Sequence, residues 1–146
     1  MKATFGATAA AVLAAVLAAG CAQMPAQQAS APAKNRVVLQ VSDGDPAKWN
    51  MALNNANNVA HDLGAANVEI EIVAYGPGIG MIKKGSPVAQ RIDEATMSGM
   101  KVVACENTMH GQHLTRADMM PGISYAKAGV VEIMRRQQEG WSYIRP

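Results

Sequence analysis

The sequence predicts a parallel α/β sandwich. Short apolar runs rich in β-branched residues recur along the chain. Segments with apolar residues at helical spacing lie between most of them. The principal crossovers are long enough to return the chain, right-handed, to a parallel neighbouring strand.

The first strand is Arg36 to Val41, RVVLQV. Ser42-Asp43-Gly44-Asp45-Pro46 then turns the chain into a helix, with Asp45 at the capping position and Pro46 at the first helical one. Trp49, Leu53, Ala56, Ala60 and Leu63 form one apolar stripe, and Gly64 stops the helix. The opposite face carries Asn50, Asn54, Asn55, Asn57, Asn58 and His61. Asn is a poor helix former, so packing has to hold this segment. Val68 to Tyr75, VEIEIVAY, is a second strand, followed by the loop Gly76-Pro77-Gly78-Ile79-Gly80. Ser86-Pro87 opens a second helix with Val88, Ile92 and Ala95 inward, ending near Gly99. Met100 to Ala104 is a third strand and delivers Cys105 at its C-terminal end. Residues 106–121 are mixed and polar, with a short helix expected near Thr115 to Met119. A short fourth strand falls around Ile123 to Tyr125 or Ala126. Gly129 to Glu139 reads as a helix with Val130, Ile133, Met134 and Gln137 on one side and Arg135 and Arg136 elsewhere. Gly140 ends it, and Trp141 to Ile144 is the last strand.

A chain of 146 residues, 49% hydrophobic and 16% charged, holds one domain with a real core. Disorder along the whole chain and a multi-domain enzyme are excluded. The net charge is +2, without a block of Lys and Arg, which argues against nucleic acid as a partner. Two cysteines, Cys21 and Cys105, cannot build a disulfide framework.

The N-terminus reads as an export signal. Met1-Lys2 is followed by an uncharged, Ala-rich run from Ala3 to Ala19, about 25 Å as a helix and short for a membrane span. Its end, Leu17-Ala18-Ala19-Gly20-Cys21, resembles a bacterial lipobox, with Ala18 where Leu is preferred. Residues 1–20 are then a lipoprotein-type signal peptide and Cys21 the lipidated residue, held on a membrane by its acyl chains alone. Ala22 after the Cys points to the outer membrane, facing the periplasm of a Gram-negative cell. The alternative is ordinary cleavage near Ala22, which gives a soluble periplasmic protein. Residues 22–35, AQMPAQQASAPAKN, read as a disordered tether, so that the folded domain is 36–146.

Three groups of residues could carry chemistry. In an open parallel sheet, ligands bind beyond the carboxyl ends of the strands, where Cys105 falls. Backbone N–H groups of a helix or turn starting just after it would stabilise a thiolate, Glu106 would oppose one, and His110 or His113 could shuttle its proton. The competing reading is a small buried hydrophobe. Cys105 with His110 and His113 also has a C-x4-H-x2-H spacing compatible with zinc, with Glu106 or Asp118 as the nearest fourth ligand. A polar loop with two solvated imidazoles accounts for the same residues, and no metal is expected. Gly76-x-Gly78-x-Gly80 superficially resembles a phosphate loop, but Met81 stands where a dinucleotide fingerprint needs Gly or Ala. A Gly-rich turn allowing close backbone approach is the simpler reading.

Several stretches together resemble the DsrE/DsrF-like family of sulfur-relay proteins. They are Ala52-Leu53-Asn54-Asn55-Ala56-Asn57-Asn58, VEIEIVAYGPGIGMI (68–82), GMKVVACENTM (99–109), Asp118-Met119-Met120-Pro121, and the tail from Gly129 to Pro146. No single piece is diagnostic; their order and the Cys-x-Asn-Thr element at Cys105 carry the specificity. The resemblance implies a three-layer α/β/α domain around a mostly parallel five-stranded sheet, assembled as a homo-oligomer, trimer or hexamer. It implies that Cys105 accepts a persulfide sulfur from a donor protein and passes it to an acceptor. Asn107, Thr108, Gly76 and Gly78 are the binding candidates beside it, and no cofactor is expected. Sulfur-relay members are cytoplasmic, whereas this chain carries an export signal. A non-catalytic oligomeric module that binds a small ligand or a protein in the envelope is the alternative.

Overall fold

Five strands form one sheet in the order β4-β3-β2-β1-β5, and every neighbouring pair is parallel. In chain order the elements are β1 (Asn35–Val41), α1 (Pro46–Leu63), β2 (Val68–Ala74), α2 (Ala89–Met97), β3 (Lys101–Cys105), α3 (Glu106–Gly111), β4 (Ser124–Ala126), α4 (Gly129–Gln138) and β5 (Ser142–Ile144). This computed structural model describes residues 34–146. The signal segment, Cys21 and most of the tether lie outside the described residues. Among the described residues no helix is long and apolar enough to cross a membrane.

The α/β class and the five-stranded sheet agree with the expectation from sequence. Alternation along the strands sorts side chains onto two unequal faces. On one, Val37, Leu39, Ile70, Ile72, Val102 and Ala104 pack with Leu53 and Ala56 of α1 and Ile92 of α2 in the main core. On the other, only Val38, Val73, Val103 and Ile133 of α4 form a small apolar cluster. That second face is polar at the N-terminal ends of the strands, with Glu71 and Lys101, and carries Cys105 at the opposite end.

Asp45 caps α1, its carboxylate accepting from the Ala47 N–H at 2.8 Å, and Pro46 begins the helix. Replacing Asp45 by Ala should lower stability by about 1 kcal/mol, read as a lower urea midpoint with an unchanged slope. Arg91 of α2 donates to the side-chain oxygens of Asn50 and Asn54, at 2.5 and 2.7 Å, so part of the Asn-rich face ties α1 to α2.

Four expectations need correction. Leu63, the last residue of α1, is 46% exposed rather than inward. The second helix begins at Ala89; Ser86 and Pro87 form the turn before it. Within 106–121 a helix starts at Glu106, and only a short 3-10 turn, Arg116–Asp118, falls where a helix was expected. In α4 the inward stripe is Gly129, Glu132, Ile133 and Arg136. Val130 and Met134 are exposed at 50% and 57%. The α4 stripe is rotated because the sheet face beneath it presents Glu71 and Lys101, which draw Glu132 and Arg136 inward.

Candidate functional site at the end of the third strand

Cys105 is the last residue of β3, and α3 begins at the next residue. The N-terminus of α4 arrives beside it. A Cβ added to Gly129 would sit 3.3 Å from Cys105 Cβ and 3.2 Å from the side chains of Tyr75 and Val73, so glycine is what allows this approach. The residue is 5% exposed, and its thiol lies 4.0 Å from the Lys127 carbonyl.

Burial pushes the Cys105 thiol up, but hydrogen bonds to the sulfur outweigh it and hold it below the usual thiol value. The lowering comes chiefly from the Thr108 hydroxyl and the Gly129 and Thr108 N–H groups; the Asn107 N–H adds less, being already given to the Lys127 carbonyl at 3.0 Å. Thr108 is held in turn. Its hydroxyl oxygen accepts the Gly76 N–H at 2.9 Å, and Gln112 Nε2 donates to the Gly76 carbonyl at 3.2 Å. The glycine loop therefore serves the thiol indirectly, as a clamp on Thr108. Thr108→Val should raise the thiol pKa and slow alkylation at neutral pH several-fold. Thr108→Ser should retain most of the rate, with iodoacetamide rates against pH as the measurement.

The structure brings Cys105, Asn107, Thr108 and Gly76 together. Gly78 belongs to the same loop, but its N–H donates to the Tyr75 carbonyl and its α-carbon is pressed against β1. Neither Gly76 nor Gly78 thus offers a free N–H to a ligand. His110 and His113 are exposed at the far end of α3. Among the described residues no hydrogen bond joins either to Cys105. Glu106, expected to oppose a thiolate, is paired with Arg116 at 2.7 Å. Asp118 accepts from the Thr115 N–H and hydroxyl, both at 2.7 Å, and is occupied as a cap. Among the described residues no three metal-ligating side chains cluster.

An open cleft of about 560 Å³ adjoins the thiol's neighbours, lined by Asn107, Tyr125 and Lys127 and extending to Lys101, Glu132 and Arg135. Lys101 and Arg135 are paired with Glu71 and Glu132, so among the described residues Lys127 is the cation of this cleft without an acidic partner. Sequence reasoning missed Gly129 and Lys127, whose segment reaches the thiol only through the β4–α4 crossover. A glycine at the first position of a helix without a side-chain cap was the one local signal.

Fold and site together define a parallel α/β domain with a buried thiol at a strand end. Family models and curated proteins give no match to the chain. Among solved structures, the protein of unknown function MTH1491 from Methanobacterium thermoautotrophicum is 34% identical over 77% of this chain and 100% of its own, with a TM-score of 0.74. The chain belongs to the same family as MTH1491. The conserved protein of unknown function BT1422 from Bacteroides thetaiotaomicron (15% identity, 77% of this chain and 95% of that one, TM-score 0.64) shares the fold. So does the ychN protein from E. coli (11% identity, 77% and 99%, TM-score 0.63).

Proposed function

We propose that this protein is a DsrE/DsrF-like persulfide carrier or thiol sensor of the cell envelope, with Cys105 as the sulfur acceptor. The observation that carries the reading is the place of Cys105 at the end of β3, with α3 starting at the next residue and Thr108 and Gly129 beside the sulfur, which hold the thiol below its usual value. The Cys105 thiolate attacks the outer sulfur of a donor persulfide, R–S–SH. A new S–S bond forms to Cys105, the donor's S–S bond breaks, and R–S⁻ leaves. Sulfur moves without net oxidation, and the donors that hold the thiolate then hold the persulfide anion. Lys127 in the cleft beside the site suits an anionic donor group.

The test is intact mass spectrometry after polysulfide treatment. The expected result is a reductant-reversible gain of about 32 Da, one sulfur, in the wild type and none in Cys105→Ala. No gain, together with alkylation that is slow in the native protein and fast after unfolding, overturns the reading. That outcome favours the second one, a binding module with a structural cysteine, for which the 5% exposure of Cys105 speaks.

Assembly as a homo-oligomer, trimer or hexamer, is part of the proposal. The exposed Val130, Val131 and Met134 on α4 supply an apolar face for it. Val131→Glu should shift the mass measured by light scattering towards the monomer. Placement in the envelope rests on the lipobox-like segment ending at Cys21. Cys21→Ser should move the protein from the detergent phase to the aqueous phase in a partition assay.

A further inference from the structure

We infer that the end of the domain opposite Cys105 lies on the membrane surface, an inference that rests on Cys21 being the lipidated anchor. The helices run back against the strands, so α1 and α2 end where β2 and β3 begin. Leu63, the last residue of α1, is 46% exposed there. Met97, the last residue of α2, is 87% exposed, and no other large apolar side chain among the described residues is as open to water. The turns that follow, Gly64-Ala65-Ala66-Asn67 and Ser98-Gly99-Met100, carry no charged side chain. The two turns border one cleft, lined by Ala65, Ser98, Gly99 and Met100. Two helix ends and two turns thus form one uncharged tip with large apolar side chains in water, the mark of a surface that binds something.

Where the chain goes says what covers it. Lys34 lines the same cleft, and residues 22–33 join it to Cys21, a reach of at most roughly 45 Å even when fully extended. Along the chain, the tip is the part of the domain that meets the tether. A linker this short holds it at an effective concentration on the order of 1 mM over the lipid that carries the anchor. A contact too weak to form between free partners then forms. Charge is balanced around the tip, with Lys34 and Arg36 against Asp62 and Glu69. The contact is therefore apolar: Met97 and Leu63 enter the interface among zwitterionic headgroups, and anionic lipid is not needed. Seated this way, the domain turns Cys105 away from the lipid, to the side from which a soluble sulfur donor arrives.

The lipidated full chain, ¹³C-labelled at its methionine methyl groups, is placed on phosphatidylcholine nanodiscs that hold some lipid with a spin-labelled headgroup. Met51, near the other end of α1, and Met134, in the middle of α4, are the internal controls, at 45% and 57% exposed. The Met97 signal should be attenuated several-fold more than either. Leu63→Glu, a change at a side chain already in water, should bring Met97 down to the level of the controls. Equal attenuation of the three methyls in a protein that stays with the discs overturns the inference and leaves the anchor standing. Preferential attenuation of Met97 that survives Leu63→Glu does the same. A protein that does not stay with the discs overturns the anchor and the inference together. A Met97 signal that moves with protein concentration in lipid-free Cys21→Ser gives the tip to a second copy of the chain and overturns the inference as well.

Discussion

Gly78→Ala should destabilise the protein by at least about 3 kcal/mol, enough to leave much of a marginal domain unfolded at 37 °C. A Cβ at this position would lie 2.2 Å from the Val41 carbonyl oxygen and 2.6 Å from its carbon. Both are backbone atoms of β1, fixed by pairing with β2, so no side chain can swing away to relieve the clash. The loop would have to lift off the sheet. That movement would carry Gly76 with it, and Gly76 holds the Thr108 hydroxyl that donates to Cys105. Any folded fraction of Gly78→Ala should therefore alkylate more slowly at neutral pH than the wild type. Gly85→Ala is the control. Its φ of +79° disfavours alanine, but nothing lies within 4 Å of the added carbon. It should cost about 1 kcal/mol and leave the thiol unchanged. Thermal midpoints of the two variants, with alkylation rates alongside, check both halves of the expectation.

Gly78 also shows how a sequence reading can be right in outline and incomplete in purpose. The Gly-x-Gly-x-Gly run announces close backbone approach, and the structure has it. The sequence cannot say what is approached, because the partner is β1, 37 residues earlier at Val41. Cys105 was legible for a related reason. A short β-branched run ends in a polar stretch, and the strand end is where chemistry collects in parallel sheets. The histidines were misplaced because spacing alone does not say which way a six-residue helix presents its side chains. α3 starts beside the sulfur, whereas His110 near its far end and His113 beyond it are exposed. Periodicity also misassigned α4, where two stripes share Ile133. One runs through Val130 and Met134 and is the more apolar; the other runs through Gly129, Glu132 and Arg136. An apolarity criterion selects the first. The second wins because Glu71 and Lys101 wait on the sheet, and a charge in the middle of VEIEIVA signals this only once the neighbouring strands are known.

The same cluster gives the other large effect expected of a single substitution. Arg136→Met should cost about 3–5 kcal/mol, because it strips the guanidinium from a carboxylate that has no access to water. Arg136 donates to Glu71 Oε2 through Nε and Nη2, at 3.0 and 2.8 Å, and lies 3.0 Å from Glu132 Oε1. Burial lowers the guanidinium pKa, but the hydrogen bond and charge of Glu71 more than offset this and raise it. Lys101 remains near Glu71, but its side chain is 44% exposed and offers a single point charge in place of a two-point grip. The double variant Glu71→Met/Arg136→Met should recover most of the loss, since a buried ion pair replaced by apolar side chains of similar size is often neutral or better. Urea midpoints of the two single variants and the double variant close the cycle. The pH dependence supplies an independent check. Glu132 feels a burial penalty, yet the Glu71 hydrogen bond and the charges of Arg136, Arg135 and Lys101 hold its pKa below the usual carboxylate value. A depressed carboxylate contributes stability above its unfolded pKa of about 4.3 and loses it as the pH falls further through the folded value. Wild-type stability should therefore decline below about pH 4.3, and Arg136→Met, with one cation fewer beside Glu132, should decline less steeply over that interval. An equal slope in the two proteins would mean that Arg136 braces α4 by packing alone, and a double variant no more stable than Arg136→Met would mean that Glu71 is needed for something other than its partner.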